Sequence, residues 1–155
     1  MDMLPPMLPN DLDELYKEVI LDHYRSPRNG KRLDDAQVKA HGLNPFCGDE
    51  VDMQLRLNPD GTIREVGIQS RGCSISQAAA SLLSEELKGK TLAQAEALRL
   101  LFRRMMQGEK LTDEEAASLG GLEVLNGVRR FPVRIKCALL SFSTLEDGIT
   151  ESRGR

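Results

Sequence analysis

Val51-Asp52-Met53-Gln54-Leu55-Arg56-Leu57-Asn58-Pro59-Asp60-Gly61-Thr62-Ile63-Arg64-Glu65-Val66-Gly67-Ile68-Gln69-Ser70 reads as two strands joined by a turn. Val51, Met53, Leu55 and Leu57 alternate with Asp52, Gln54, Arg56 and Asn58, the period of a strand with one face on a core. Asn58-Pro59-Asp60-Gly61 supplies the turn: proline presets φ, glycine accepts a positive φ, and aspartate bonds its own backbone. The return strand, Ile63 to Ser70, breaks strict alternation between Ile63 and Val66, which predicts a bulge near Glu65. Residues 36–43 ahead of the hairpin read as a further short strand, and helical spacing takes over from Ser74. Strands first and helices later predict an α+β domain, a small antiparallel sheet of about three strands with helices packed on one face.

Outward from the hairpin, Leu12, Leu15, Tyr16, Val19 and Ile20 fall at helical spacing. Asn10 or Asp11 is the expected cap of this helix, Glu14 stands where a capping box needs it, and Ser26-Pro27 and Gly30 end it. Downstream, Ser74 or Ser76 is the expected cap of a helix containing Ala78 to Ala80, Leu82, Leu83 and Leu87, stopped by Gly89. Thr91 with Gln94 and Thr112 with Glu115 are capping boxes that open helices over 92–106 and 113–119, and Gly120-Gly121 breaks the second. A last helix over 132–145 accepts Pro132 in its first turn and turns Val133 or Ile135, Leu139, Leu140 and Phe142 inward. The expected organisation is an N-terminal tail over 1–10, a single domain over 11–147 and a C-terminal tail over 148–155, frayed from Thr150 to Arg155.

With 155 residues, 40% of them hydrophobic and 29% charged, the chain can bury a core without disulfide staples. A formal charge of −3, and no stretch that interleaves arginines with aromatics, argue against nucleic acid as a partner. No apolar run approaches the length of a membrane span and no basic, signal-like region opens the chain, so the expectation is a cytoplasmic protein. Three cysteines, an odd number, in such a compartment are thiols, ligands or core rather than a disulfide framework.

Cys47 stands in Asn44-Pro45-Phe46-Cys47-Gly48-Asp49, two residues ahead of an acid. The other thiols are Cys73 in Arg71-Gly72-Cys73 and Cys137 in Arg134-Ile135-Lys136-Cys137. Three thiolates and a carboxylate can complete the tetrahedral shell that zinc or an iron–sulfur unit accepts. Cys47 lies in a loop flanked by Pro45 and Gly48, where a partner can reach it, and Gly48 lets the Asp49 carboxylate and the Cys47 sulfur face one ion. Cys73 directly precedes a helix, whose N-terminal amides favour an anionic sulfur. Cys137 sits about a turn inside the last helix, where Arg134 and Lys136 can offset the surplus negative charge.

Each of these residues also has an ordinary reading. A lone thiol is commonly a small buried hydrophobe, a lone aspartate a solvated or capping carboxylate, and a pair of cations a solvated helix face. No C-x-x-C pair is present, so zinc-ribbon spacing does not apply. His23, on the first helix, and His41, on a strand, stand away from the cysteines and read as structural.

The stretches from Leu15 to Asn29, Asn44 to Asp49, Gly72 to Ser76 and Phe131 to Cys137 together resemble the IscU/SufU (NifU N-terminal-like) family of iron–sulfur cluster assembly proteins, over roughly residues 12–146. The resemblance implies a small antiparallel sheet with helices on one side, and Cys47, Asp49, Cys73 and Cys137 as metal ligands. Lys136 stands where IscU-type scaffolds carry a histidine, and residues 105–126 look like the insertion of the SufU branch. That branch implies a zinc-dependent sulfurtransferase with one Zn2+ per chain. It further implies that Cys47 would take persulfide sulfur from a SufS-type cysteine desulfurase, with Arg134 able to guide the partner or the anionic sulfur. A scaffold that builds an iron–sulfur cluster on the same ligands and passes it to apo-proteins is the nearest alternative. A non-catalytic module stabilised by a closed zinc site is another.

Overall fold

A computed structural model describes residues 9–45 and 48–153, the side chains of 9–15 excepted. Helix α1 (Pro9–Arg25) precedes strands β1 (Val38–Asn44), β2 (Asp49–Leu57) and β3 (Ile63–Arg71). Helices α2 (Ser74–Leu87), α3 (Leu92–Met106) and α4 (Asp113–Ser118) follow, then a 3-10 segment (Gly120–Arg130) and α5 (Pro132–Arg153). The strands form one antiparallel sheet in the order β1-β2-β3, so the expected α+β architecture is the observed one. In the hairpin Arg56 pairs with Glu65 but Leu57 with Ile63, which leaves Arg64 as the extra residue of the bulge expected beside Glu65.

Val51, Met53 and Leu55 of β2 are buried with Val66 and Ile68 of β3, and α2 and α5 pack on the sheet. The approach of α5 to β1 is close: a Cβ on Gly42 would fall 2.0 Å from Thr144 Oγ1, and one on Gly148 would fall 3.0 Å from Val38 Cγ1. Helix α3 joins α5 through Phe102 and Phe142, whose rings stack with centroids 3.9 Å apart. On the opposite face Gln54 is only 2% exposed. Its Oε1 accepts from the Leu33 N–H at 3.3 Å and its Nε2 donates to Gln69 Oε1 at 2.9 Å, so the loop after α1 covers the middle of that face.

Both capping boxes are present, Thr91 with Gln94 and Thr112 with Glu115, and they open α3 and α4 where expected. Four elements depart from the sequence expectation. Helix α1 already includes Pro9, the first described residue, so the expected caps Asn10 and Asp11 lie within it. The cap of α2 is Cys73 rather than a serine. Between α4 and α5, where Gly120-Gly121 read as a break, the chain winds as a 3-10 helix. Leu119, Leu122, Leu125 and Val128, three residues apart, form its fully buried face, as three residues per turn requires. Helix α5 runs to Arg153, past the expected end at 145 and through residues expected to fray from Thr150, since burial of Gly148 against β1 and of Ile149 outweighs the poor helix propensity of glycine.

Candidate metal centre

The turn between β1 and β2 closes with Gly48 N–H donating to the Asn44 carbonyl at 2.8 Å. Asn44 pairs with Asp49 across it. Cys47, within this turn, lies outside the described residues. Asp49, the first residue of β2, is 0% exposed, and its carboxylate reaches the end of β3. Glycine at position 72 permits that reach. Gly72 has φ +127°, and a Cβ there would lie 2.0 Å from Asp49 Oδ1 and 2.8 Å from Asp49 Cα.

Asp49 Oδ1 accepts from the Cys73 N–H at 2.9 Å, while Oδ2 lies 3.8 Å from Cys73 Sγ. The Cys73 sulfur in turn accepts from Ser76 N–H at 3.4 Å as the cap of α2. It therefore sits where unpaired helix amides point, as the order Gly72-Cys73-helix predicts. Gln77 fixes the approach, its Nε2 donating to the Gly72 carbonyl at 2.9 Å and its N–H to the Cys73 carbonyl at 3.1 Å. Cys137, in the second turn of α5, is 0% exposed. The ligand atoms of Asp49, Cys73 and Cys137 all lie within 4.8 Å of one another. Among the described residues, three of the four expected ligands are thus brought together.

Arg134 precedes Cys137 by three residues and so shares its side of α5. Its guanidinium is held above the ordinary arginine value, first by the charge of Cys73, then by a hydrogen bond to Cys73, with smaller contributions from Cys137. Lys136 is exposed. The histidines are elsewhere, as expected: His23 is buried with Nδ1 2.7 Å from Ser81 Oγ, and His41 is exposed with Nδ1 2.9 Å from Asp52 Oδ1. A groove of about 1010 Å³ between α1, α2 and the 3-10 segment contains none of the three clustered ligands. Sequence reading missed Gly72 and Gln77 as parts of the site. The only local signal was a glycine directly before a thiol at the end of a strand.

The donor set suits a soft or borderline divalent metal. Two sulfurs and a carboxylate converge in a largely buried position, and one carboxylate oxygen is already occupied by a backbone N–H. Gathering such donors away from water is costly unless a cation joins them.

The model of the NifU-like N terminal domain matches residues 15–138, most of the chain and all three clustered ligands. The chain belongs to this family. Within the NifU-like family it is 41% identical over 144 residues to the zinc-dependent sulfurtransferase SufU of Bacillus subtilis (strain 168), covering 93% of this chain and 95% of that one. It is 35% identical to the iron–sulfur cluster assembly scaffold protein IscU of Streptococcus pyogenes serotype M1, over 91% of this chain and 86% of the relative. These likenesses support the SufU branch. Among solved structures, a putative iron–sulfur cluster assembly scaffold protein for the SUF system from Fervidobacterium islandicum AW-1 superposes with a TM-score of 0.80 at 29% identity, covering 88% of this chain and 97% of that one. No helix among the described residues is long and apolar enough to cross a membrane.

Proposed function

We propose that this NifU-like chain is a cytoplasmic, zinc-dependent sulfurtransferase that accepts persulfide sulfur on Cys47 from a SufS-type cysteine desulfurase. The convergence of Asp49, Cys73 and Cys137 within 4.8 Å carries the reading, because it supplies three donors and leaves a fourth position for a residue of the Pro45–Gly48 turn. Asp49, Cys73 and Cys137 would hold the ion, with Cys47 as the fourth ligand. When bound, zinc supplies electrostatic stabilisation of thiolate at neutral pH. The Cys47 thiolate attacks the outer sulfur of the donor's persulfide. The new bond is Cys47 S–S, the donor's own S–S bond breaks, and the donor cysteine leaves as a thiolate, so no external oxidant or reductant is needed. Arg134, whose guanidinium feels the charge of Cys73 and Cys137, would meet the anionic sulfur as it arrives.

Cluster scaffolding on the same ligands is the second reading, favoured by the relatives named as IscU scaffolds. Lys136, next to Cys137 in the sequence, brings neither imidazole nor thiolate to a cluster. Metal and acid-labile sulfide analysis of protein purified without added metal, together with sulfide release by a SufS-type desulfurase, separates the readings. One zinc per chain and stimulation lost in Cys47→Ser is the expected result. Cys47→Ala that stimulates turnover as well as wild type refutes sulfur acceptance at Cys47, and bound iron and sulfide transferable to an apo-protein makes the scaffold primary.

A further inference from the structure

Ser141, on α5, is only 2% exposed, and among the described residues no hydrogen bond reaches its Oγ. Other buried hydroxyls in the fold use a carbonyl of their own helix. Thr144 Oγ1 donates to the Leu140 carbonyl at 2.8 Å, and Ser84 Oγ donates to the Ser81 carbonyl at 2.7 Å. Ser141 has the same option in the Cys137 carbonyl, one turn back, and does not take it. A buried hydroxyl left without a partner costs stability, and in a native fold it marks a group with a role in binding or chemistry.

Its place in the helix names the partner. Ser141 follows Cys137 by four residues, so the two share the buried side of α5 with β carbons about 5–6 Å apart. Helical side chains lean towards the N-terminus, which directs Ser141 at the turn that bears Cys137. The other two clustered ligands each hold a donor from the protein. Asp49 Oδ1 accepts from the Cys73 N–H at 2.9 Å, and Cys73 Sγ accepts from the Ser76 N–H at 3.4 Å. Cys137 stands inside a helix, where the backbone N–H groups that follow it belong to the helical ladder, so a donor to its sulfur has to be a side chain. Arg134, one turn before it, is exposed and engages Cys73 first, whereas Ser141, one turn after it, is buried.

We infer that Ser141 is a positioning residue of the metal centre, its hydroxyl donating a hydrogen bond to the metal-bound Cys137 thiolate and so holding Cys137 as a fixed ligand. The inference rests on the metal-binding part of the reading above and is independent of sulfur transfer. Without an ion the hydroxyl is buried and unmet; with one it faces a charged acceptor, which makes the stronger kind of hydrogen bond. Donors that stand behind a ligand in this way fix its orientation and raise the affinity of the site. The same group therefore weakens the empty fold and strengthens the loaded one. A hydroxyl with a purely structural role does not combine those two signs.

Full-length Ser141→Ala is compared with wild type in three measurements. Metal-free and reduced, it is expected to melt about 2 °C or more above wild type, because the unmet hydroxyl is gone. In competition with a chromophoric chelator it should bind zinc about tenfold or more weakly. Loaded with cobalt(II), its sulfur-to-metal absorption should move to lower energy, since the sulfur lone pairs lose the hydrogen bond that stabilised them. Ser84→Ala, which removes a buried hydroxyl that has its partners, is the control and should lower metal-free stability while leaving zinc affinity unchanged. Weaker zinc binding by a Ser141→Ala chain that is no less stable without metal supports the inference. Unchanged zinc affinity overturns it, and so does a loss of metal-free stability, which would mean that the hydroxyl is already bonded in the empty fold. A wild-type chain that binds neither zinc nor cobalt overturns the metal centre itself, an outcome separate from any difference between the two chains.

Discussion

A methyl group at position 72 separates site-building from simple backbone strain. In Gly72→Ala the residue must hold a φ of +127°, and its Cβ would sit 2.0 Å from Asp49 Oδ1 and 2.8 Å from Asp49 Cα. The second distance involves backbone, so rotating the carboxylate away does not relieve the clash. The positive φ costs about 1–3 kcal/mol for a residue with a Cβ. Displacing Asp49 also removes the charge-assisted bond to the Cys73 N–H, worth about 1.5–3 kcal/mol. The sum, roughly 2.5–6 kcal/mol, corresponds to a fall in Tm of about 5–24 °C for a domain of this size. Gly61→Ala is the control, since Gly61 has φ +89° and nothing within 4 Å of its would-be Cβ, so it should show the backbone cost alone. Circular dichroism melts of metal-free protein and zinc competition with a chromophoric chelator read the two effects. Gly72→Ala should also bind zinc at least about tenfold more weakly, as expected when a ligand is displaced, whereas Gly61→Ala should bind normally. If the two variants melt alike and bind zinc alike, Asp49 is not held in place by the glycine and the account of the site is wrong.

His23 is held below its ordinary value of 6.5, chiefly by burial and then by the charge of Arg28. The unfolded chain therefore takes up this proton first on acidification, and the stability contributed by neutral His23 is present above about pH 6.5 and lost as pH falls through the folded value. Metal-free His23→Gln should lose less stability than wild type between about pH 7 and pH 5 in urea unfolding; equal slopes would exclude His23 as a source of acid sensitivity. Leu125→Ala, in the buried face of the 3-10 segment, should cost about 2–5 kcal/mol by the same method, against under ~0.5 kcal/mol for the exposed Leu100→Ala. A small effect at Leu125 would mean that this segment is not part of the core.

The parts of the fold that sequence reading recovers are those whose signals are local. Strand alternation from Val51 to Leu57, the Asn58–Gly61 turn and the Thr91 and Thr112 boxes each depend on neighbours a few residues away, and each stands where it was expected. The 3-10 segment was hidden by its glycines, which read as breakers. Gly121 instead donates its N–H to Glu86 Oε2 at 3.2 Å, and Gly127 makes room for the Tyr16 ring. The spacing of Leu119, Leu122, Leu125 and Val128 was the available clue, and it has a period of three rather than 3.6. In the site, residue identity pointed to Asp49, Cys73 and Cys137, but nothing local shows that Asp49 bonds a backbone amide 24 residues away. Cys73 as a cap was equally hidden, because cap preferences favour oxygen side chains and this sulfur takes the role only where Gly72 and Asp49 have already placed it.

The three clustered ligands come from the start of a strand, the cap of one helix and the second turn of another. An ion seated among them ties the chain into two closed loops, one from Asp49 to Cys73 and a longer one from Cys73 to Cys137. A covalent staple across loops of a few tens of residues removes roughly 3–4 kcal/mol of chain entropy from the unfolded state, and a coordinated ion acts on the same freedom. The centre is thus a clasp for the whole topology. On the proposed reading, a fourth ligand from the short turn could leave the ion to collect sulfur while the three that join distant segments kept both loops closed.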